Sequence, residues 1–340
     1  MNQRIRGLDG LRALSIILVI IAHIGYMGYD FKGSARLDLG PTGVSIFFVI
    51  SGFLITILLL REKDAGSISL KDFYRRRAFR ILPAYLTFLF LVTALNSKGL
   101  ILLNPFDSLR ALTFSSNYVL PKWSLGHTWS LSVEEQFYLI WPLLLIFVRM
   151  RYLVAGIVFA YIFTPVMLTL QQKYGIWPNP WSAFEFNAGK LGCGCLAAML
   201  LHNRRQWVLN SANCFMLLAL CLGALSLVLR PDYLFFAKAM IPAMAACGIL
   251  FLVGKPESWL ITVLEWKPLA WLGTLSYSLY LWQQIFFDKD NHMPWWAIAI
   301  LLPAATLISY YWIEQPMIRF GRAWHASKKL PIQSNAPVLE

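Results

Sequence analysis

Charge is scarce in this chain of 340 residues: only 14% are Asp, Glu, Lys or Arg, against roughly 25% in soluble globular proteins. So little charge cannot coat a surface that mostly meets water, which excludes a soluble domain. Carboxylates are the scarcer sign, with 17 Asp and Glu against 30 Lys and Arg. Cysteine offers little chemistry. Cys193, Cys195, Cys214, Cys221 and Cys247 all stand in apolar segments, with no CxxC pair and no zinc-ligand spacing. A disulfide framework and a thiolate metal site are thereby excluded, and the cysteines read as small packing residues. No internal repeat, low-complexity tract or second domain is visible. No small-residue cleavage site follows the apolar run after Arg4 and Arg6, so that run is expected to persist as a first helix rather than act as a removable signal peptide.

What the chain does have is apolar length. Hydrophobic residues make up 58% of it and aromatics 15%. Ten runs approach the roughly 20 residues needed to cross a hydrocarbon core of about 30 Å: 12–30, 41–60, 81–98, 129–148, 152–171, 187–202, 207–229, 234–253, 268–287 and 294–315. The expected fold class is all-α, a polytopic membrane protein of about ten transmembrane helices. Connections are short except 61–80, 99–128 and 172–186, and residues 323–340 form a short polar tail expected to be disordered. The net charge of +13 does not call for nucleic acid. Its arginines and lysines collect on alternate connections, among them Arg61, Arg75, Arg76, Arg77, Arg149, Arg151, Arg204 and Arg205. Cytoplasmic loops carry such an excess, which puts both termini in the cytoplasm.

Ionisable residues inside a membrane cost a few kcal/mol even on the gentlest scale, about 2.5–3.5, so each is a functional candidate. Arg12 and His23 bracket ten apolar or small residues on the first span. Eleven helical steps of about 100° bring them to within roughly 20° of one face and about 16 Å apart in height. Arg12 then lies at the inner surface, with Asp9 one turn below as a pairing partner. The fourth span begins outside at His127-Thr128-Trp129-Ser130 and carries Glu134 and Glu135, roughly 10 Å deep by helix rise. Ser51 on the second span and Tyr277 on the ninth reach a similar depth. A histidine, carboxylates, a hydroxyl and a phenol at one level are what acyl transfer to a hydroxyl requires. A neutral imidazole takes the proton of the attacking hydroxyl, and a carboxylate fixes its tautomer. Spacing does not decide which glutamate faces His23, because neighbours on a helix point about 100° apart.

The inner connection 61–80 ends with Arg75-Arg76-Arg77-Ala78-Phe79-Arg80, just before the third span. Arg76 and Arg77 precede Arg80 by one helical turn, so the three form a fork on one face, suited to phosphates that guanidinium binds bidentately. Positive-inside anchoring accounts for the same residues, and both can hold. The outer segment 173–186 displays Tyr174, Trp177, Trp181, Phe184 and Phe186, as an interfacial aromatic belt would or as a sugar-stacking surface. Gly189-Lys190-Leu191-Gly192-Cys193-Gly194 lacks the spacing and preceding strand of a P-loop. Its glycines suit close helix packing.

These segments resemble the acyltransferase-3 family, multispanning acyltransferases of bacterial inner membranes, over about residues 5–322. Gly7-Leu8-Asp9-Gly10-Leu11-Arg12 through His23, Phe47 to Thr56, Arg76 to Tyr85, His127 to Tyr138 and Ile313-Glu314-Gln315-Pro316 stand in the family's order. Where many members carry a histidine after Ser276-Tyr277-Ser278-Leu279-Tyr280-Leu281-Trp282, this chain has Gln283. The C-terminal extracytoplasmic hydrolase-like domain that some members carry is not expected in this chain.

The resemblance implies an O-acyltransferase with acetyl-coenzyme A as donor substrate, no permanently bound cofactor, and a carbohydrate acceptor such as O-antigen, exopolysaccharide or a peptidoglycan precursor. It implies catalytic roles among His23, Glu134, Glu135, Ser51 and Tyr277, donor phosphates at Arg12, Arg76, Arg77 and Arg80, and acceptor contacts at His127, Trp129 and Ser130. The expected setting is the inner membrane, with donor on the cytoplasmic side, acceptor outside and no nucleic acid. Two mechanisms stay open: direct attack by an acceptor that His23 activates, or an acyl-enzyme on Tyr277 or Ser51. A transporter or flippase is the rival class, since midplane charges also mark translocation paths. A non-enzymatic scaffold would leave the polar cluster without a purpose.

Overall fold

A computed structural model of the chain describes residues 5–27, 38–175, 181–229, 234–288 and 293–327. Every regular element in them is helical: α1 (Leu8–Tyr26), α2 (Leu39–Asp64), α3 (Leu70–Ser97), α4 (Asp107–Leu112), α5 (Trp123–Gly126), α6 (Thr128–Phe147), α7 (Met150–Tyr174), a 3-10 turn (Phe184–Phe186), α8 (Ala188–Asn203), α9 (Arg205–Asn210), α10 (Ala212–Leu229), α11 (Leu234–Gly254), α12 (Trp259–Leu264), α13 (Lys267–Phe286), α14 (Trp295–Ile308), a π-helical turn (Ser309–Glu314) and α15 (Gln315–Ser327). The chain is an all-α polytopic membrane protein. Eight of its helical stretches are long and apolar enough to cross a membrane, with α5 running into α6 and α14 into α15.

The other two sequence-derived spans are helices that fall short of that measure. α8 has 16 residues, about 24 Å at 1.5 Å per residue. α13 has 20 residues, but its apolar character is diluted by Ser276, Ser278, Gln283 and Gln284, all buried. Both pack inside the bundle against neighbouring helices, α8 against α2 and α13 against α1.

The expected 61–80 connection is mostly helix. α2 continues to Asp64 and α3 starts at Leu70. Ser69 caps the new helix by accepting from the Asp72 N–H at 3.3 Å, and Arg75 pairs with Asp72 at 2.6 Å one turn on. A cap and an i,i+3 ion pair suffice to carry a helix beyond its apolar stretch. The arginine fork therefore has a rigid backbone. The 99–128 connection is also structured, by Asp107, which is fully buried. Its carboxylate accepts from the backbone N–H groups of Asn104 and Lys122 at 2.8 and 2.9 Å. This folds the connection back on itself and sets Lys122 and Trp123 directly before the fourth span.

Several helix pairs approach closely enough to demand glycine, two of them beside the site residues. A Cβ on Gly52 would sit 2.0 Å from the Leu191 carbonyl oxygen, and one on Gly194 2.0 Å from that of Val49, so α2 and α8 touch backbone to backbone. On α13, a Cβ on Gly273 would lie 1.8 Å from the Asp9 oxygen of α1. Such contacts are how small residues associate helices in lipid, the packing role expected of the 189–194 segment. The cysteines divide: Cys193, Cys195 and Cys247 are buried, whereas Cys214 and Cys221 are exposed on α10, a departure from uniform core packing. Residues 28–30 of the first predicted span, 176–180 of the aromatic segment and 328–340 of the tail lie outside the described residues. α15 itself continues five residues past Arg322, to Ser327.

Candidate active site

Three cavities adjoin one another and between them hold every residue singled out above. The first, about 420 Å³, is lined by Arg12, Arg76, Arg77, Arg80 and Arg322, with Asp9, Tyr277 and Glu314. The second, a small chamber of about 100 Å³, shares Arg12, Arg77, Arg80, Ser276 and Tyr277 with the first and adds Ser51, Ser130, Glu134, Glu135 and Tyr138. The third, about 740 Å³, shares Val44 and Tyr280 with the chamber and is lined by His23, His127, Trp129 and further aromatics.

In the arginine cavity, α1, α3 and α15 supply the cations. Arg12 pairs with Asp9 at 3.1 Å, the one-turn pairing their spacing implies. Arg76 is held by the Glu62 carboxylate of α2. The Arg77 guanidinium lies over the Tyr138 ring, 5.0 Å from its centroid, and 6.0 Å from that of Phe73. Arg80 makes no ion pair within 4 Å among the described residues, so its charge is available to the cavity. Five arginines against two carboxylates leave a surplus of positive charge, the condition for holding phosphates.

In the chamber, α2 and α6 meet across one carboxylate. Ser51 Oγ donates to Glu134 Oε1 at 2.7 Å, and the Tyr138 hydroxyl, one turn along α6, reaches Glu134 Oε2 and Ser51 Oγ at 3.3 Å each. The Tyr277 hydroxyl donates to the Ile81 carbonyl at 2.9 Å, which ties α13 to α3. Glu135 lines the same chamber.

The histidine cavity is organised by two consecutive amides of α13. His23 Nδ1 lies 3.2 Å from Gln283 Oε1. Gln284 Oε1 accepts from the His127 backbone N–H at 2.5 Å and lies 2.5 Å from its Nδ1. An amide oxygen can only accept, so Nδ1 carries the proton in each ring and Nε2 keeps its lone pair. Trp123 meets the His23 ring edge-on at 5.3 Å and stacks on Tyr26 at 4.3 Å. Trp129 meets Trp181 edge-on at 5.5 Å. Among the described residues no group of three or more His, Cys, Asp or Glu could hold a metal ion.

The single His–carboxylate site expected from common depth is therefore two sites. Glu134 belongs to Ser51 and Tyr138, and His23 belongs to Gln283, with the Tyr280 wall between chamber and histidine cavity. Helix rise fixes height and leaves open which way each helix turns its side chains. His127 and Trp129 line the histidine cavity as the acceptor assignment requires, but Ser130 faces the chamber and bonds to the Tyr280 hydroxyl at 2.5 Å.

Several site residues escaped the sequence. Tyr138 was legible, standing four residues after Glu134 on one face. Gln283 and Gln284 carried a signal too, as paired amides in an apolar helix. Glu314 is buried and accepts from Ser278 Oγ at 2.9 Å. It closes a π-helical turn, a feature that recurs at functional sites, and only the backbone reveals it.

Ionisable side chains line adjoining cavities within a membrane bundle. The chain belongs to the acyltransferase-3 family, whose model, described as an acyltransferase domain, matches residues 5–313. It is 28% identical to the peptidoglycan O-acetyltransferase OatA of Listeria monocytogenes, over 94% of this chain and 57% of that protein. It is also 28% identical to YrhL of Bacillus subtilis, provisionally named a peptidoglycan O-acetyltransferase, over 93% of this chain and 55% of that one. A Staphylococcus aureus protein provisionally named an O-acetyltransferase is 29% identical over 93% of this chain and 58% of its own length. The chain thus spans little more than half the length of these curated relatives. No solved structure matches it.

Proposed function

We propose that this protein is a membrane O-acyltransferase that moves an acyl group, acetyl in the first instance, from acyl-coenzyme A to a hydroxyl of a cell-surface carbohydrate. The observation that carries this reading is the succession of cavities: arginines at one end, a carboxylate–hydroxyl chamber in the middle, and a roomy cavity with two histidines and stacked aromatics at the other. Family membership supports it, and the names of the relatives favour peptidoglycan over O-antigen and exopolysaccharide among the expected acceptor classes. In this reading the phosphates of the donor sit at Arg12, Arg76, Arg77 and Arg80, and the pantetheine arm threads the chamber. His23 Nε2 takes the proton from the acceptor hydroxyl, Gln283 holds the ring, and the hydroxyl oxygen attacks the thioester carbonyl. Coenzyme A leaves as the thiol. The setting is the bacterial inner membrane, both termini in the cytoplasm, with donor entering from that side.

The direct test is purified protein in nanodiscs with acetyl-labelled acetyl-coenzyme A. Release or transfer of the label, lost in a His23→Ala variant, is the expected result. A flippase would leave the thioester intact, and that outcome would end the acyltransferase reading. Donor binding gives a second check. Arg77→Lys and Arg80→Lys keep the charge but lose the bidentate fork, so coenzyme A affinity should fall by about tenfold with topology unchanged. Unaltered affinity would leave these residues as topological anchors.

A further inference from the structure

The histidine cavity has a charge pattern that neither hydroxyl activation nor carbohydrate stacking requires. At about 740 Å³ it is within the range of ligand pockets, roughly 300–1,000 Å³. Among the described residues, the charged side chains in its lining are Lys122, Lys190 and Lys238, with no Asp or Glu. Lys238 is answered by Asp38 at 3.0 Å. Lys190 is not: its Nζ donates to the neutral Asn187 Oδ1 at 2.8 Å, and among the described residues no carboxylate lies within 4 Å of it.

The position of Lys190 makes this unusual. It stands in the first turn of α8, a helix of 16 residues. The unpaired N–H groups there already carry partial positive charge, so a carboxylate is the favoured residue and an ammonium the unfavourable one. The ammonium also feels the charge of Lys238 across the same cavity. Asp38 answers Lys238, but Lys190, at the positive end of a helix and facing a second ammonium, has only a neutral amide to soften its own charge, an arrangement that an anion in the cavity would relieve. A second observation points to a ligand. His127 Nε2, which keeps its lone pair, is buried in this lining with no hydrogen-bond partner among the described residues. It calls for a donor such as a ligand hydroxyl and marks the cavity as a ligand site, while the demand for an anion comes from Lys190.

We infer that the acceptor carries an anionic oxyacid group, carboxylate or phosphate, which seats at Lys190 while its reacting hydroxyl lies at His23. The inference rests on the acyltransferase reading for the hydroxyl and on the cavity alone for the anion. Stacking on Trp123 and Trp181 would hold the sugar rings between the two points.

Full-length protein in nanodiscs tests this with two matched pairs of acceptors. One is a uronate-containing oligosaccharide and its carboxyl-reduced counterpart, and the other a sugar 1-phosphate and its methyl glycoside. Binding is followed by tryptophan fluorescence, since Trp123, Trp129 and Trp181 line the cavity, and transfer by acetyl label. Binding of at least one anionic acceptor about ten- to a hundredfold tighter than its neutral partner is expected, from the strength of a charge-assisted hydrogen bond. The preferred pair tells carboxylate from phosphate. Lys190→Met should erase the preference and Lys190→Arg should restore it, with retained coenzyme A binding showing that each variant is folded. Equal binding of charged and neutral partners by the wild type would overturn the inference, as would a preference that survives Lys190→Met. Charge-selective binding without any transfer of label would instead sink the acyltransferase reading and leave the anion site standing.

Discussion

At the scale of single residues, the polar groups divide into pairs that each have a test. His23 is held by an amide rather than a carboxylate. Its ring is oriented by Gln283, but in the proposed mechanism the imidazolium formed by proton transfer would receive no full negative charge from that partner. His23→Ala should lower transfer by about a hundred- to ten-thousandfold, the usual weight of a general base, while expression and insertion stay normal. Gln283→Leu leaves Nδ1–H without its acceptor and should lower kcat by about tenfold or more. Gln283→Glu supplies an acceptor oxygen again and should recover much of that loss. Wild-type turnover by Gln283→Leu would remove the amide from the mechanism. Ser51 and Glu134 form the other pair. Ser51→Ala strips a buried carboxylate of a donor at 2.7 Å, which costs about 1–3 kcal/mol. The double variant with Glu134→Gln should fall short of the summed losses, because the two residues share one interaction. Strict additivity of their thermal midpoints would contradict the bond.

At the scale of elements, the site depends on how closely four helices approach in two pairs. α2 and α8 meet at Gly52 and Gly194, and α13 reaches α1 at Gly273. These contacts bring Ser51 on α2, Lys190 on α8 and the Gln283–Gln284 pair on α13 to the walls of adjoining cavities. Gly194→Leu and Gly273→Val would force backbones apart and should leave little monodisperse protein in fluorescence-detected size-exclusion chromatography. Gly248→Ala on α11 is the matched control, since nothing lies within 4 Å of its missing Cβ; it should extract and elute like wild type. Equal behaviour of all three variants would mean that close packing is not what the glycines supply. α3 contributes differently. Its Ser69 cap and Arg75–Asp72 pair extend a membrane helix so that Arg76, Arg77 and Arg80 stand on regular backbone, and Tyr277 braces that helix through the Ile81 carbonyl.

At the scale of the whole molecule, the proposed reaction takes its direction from the order of the cavities. Arg12 and His23 lie about 16 Å apart along α1 by helix rise, a gap that an extended pantetheine arm can largely cover. Donor phosphates would then stay at the arginines while the thioester reaches the histidine cavity. Vesicles of known orientation, given labelled donor on one side and acceptor on the other, should transfer label only with donor on the face bearing the arginine cavity. Transfer that requires both substrates on that face would refute passage across the membrane and leave the acyltransferase assignment intact.

The sequence by itself determined the solvent this protein lives in, its helical class and its family. Each is written in one-dimensional properties: apolar run length, scarcity of charge, and short motifs kept in order along the chain. Helical period was enough to put Arg76, Arg77 and Arg80 on one face and to pair Asp9 with Arg12. Only the tertiary structure decided who faces whom. His23, Ser51, Glu134 and Tyr277 share a depth, but depth comes from rise along each helix, whereas partnership comes from the rotation of each helix about its own axis. That rotation is set by packing between helices, at contacts such as Gly52 on Leu191 and Gly273 on Asp9. Those contacts gave His23 to Gln283, Glu134 to Ser51, and turned Lys190 toward a cavity without a carboxylate to meet it.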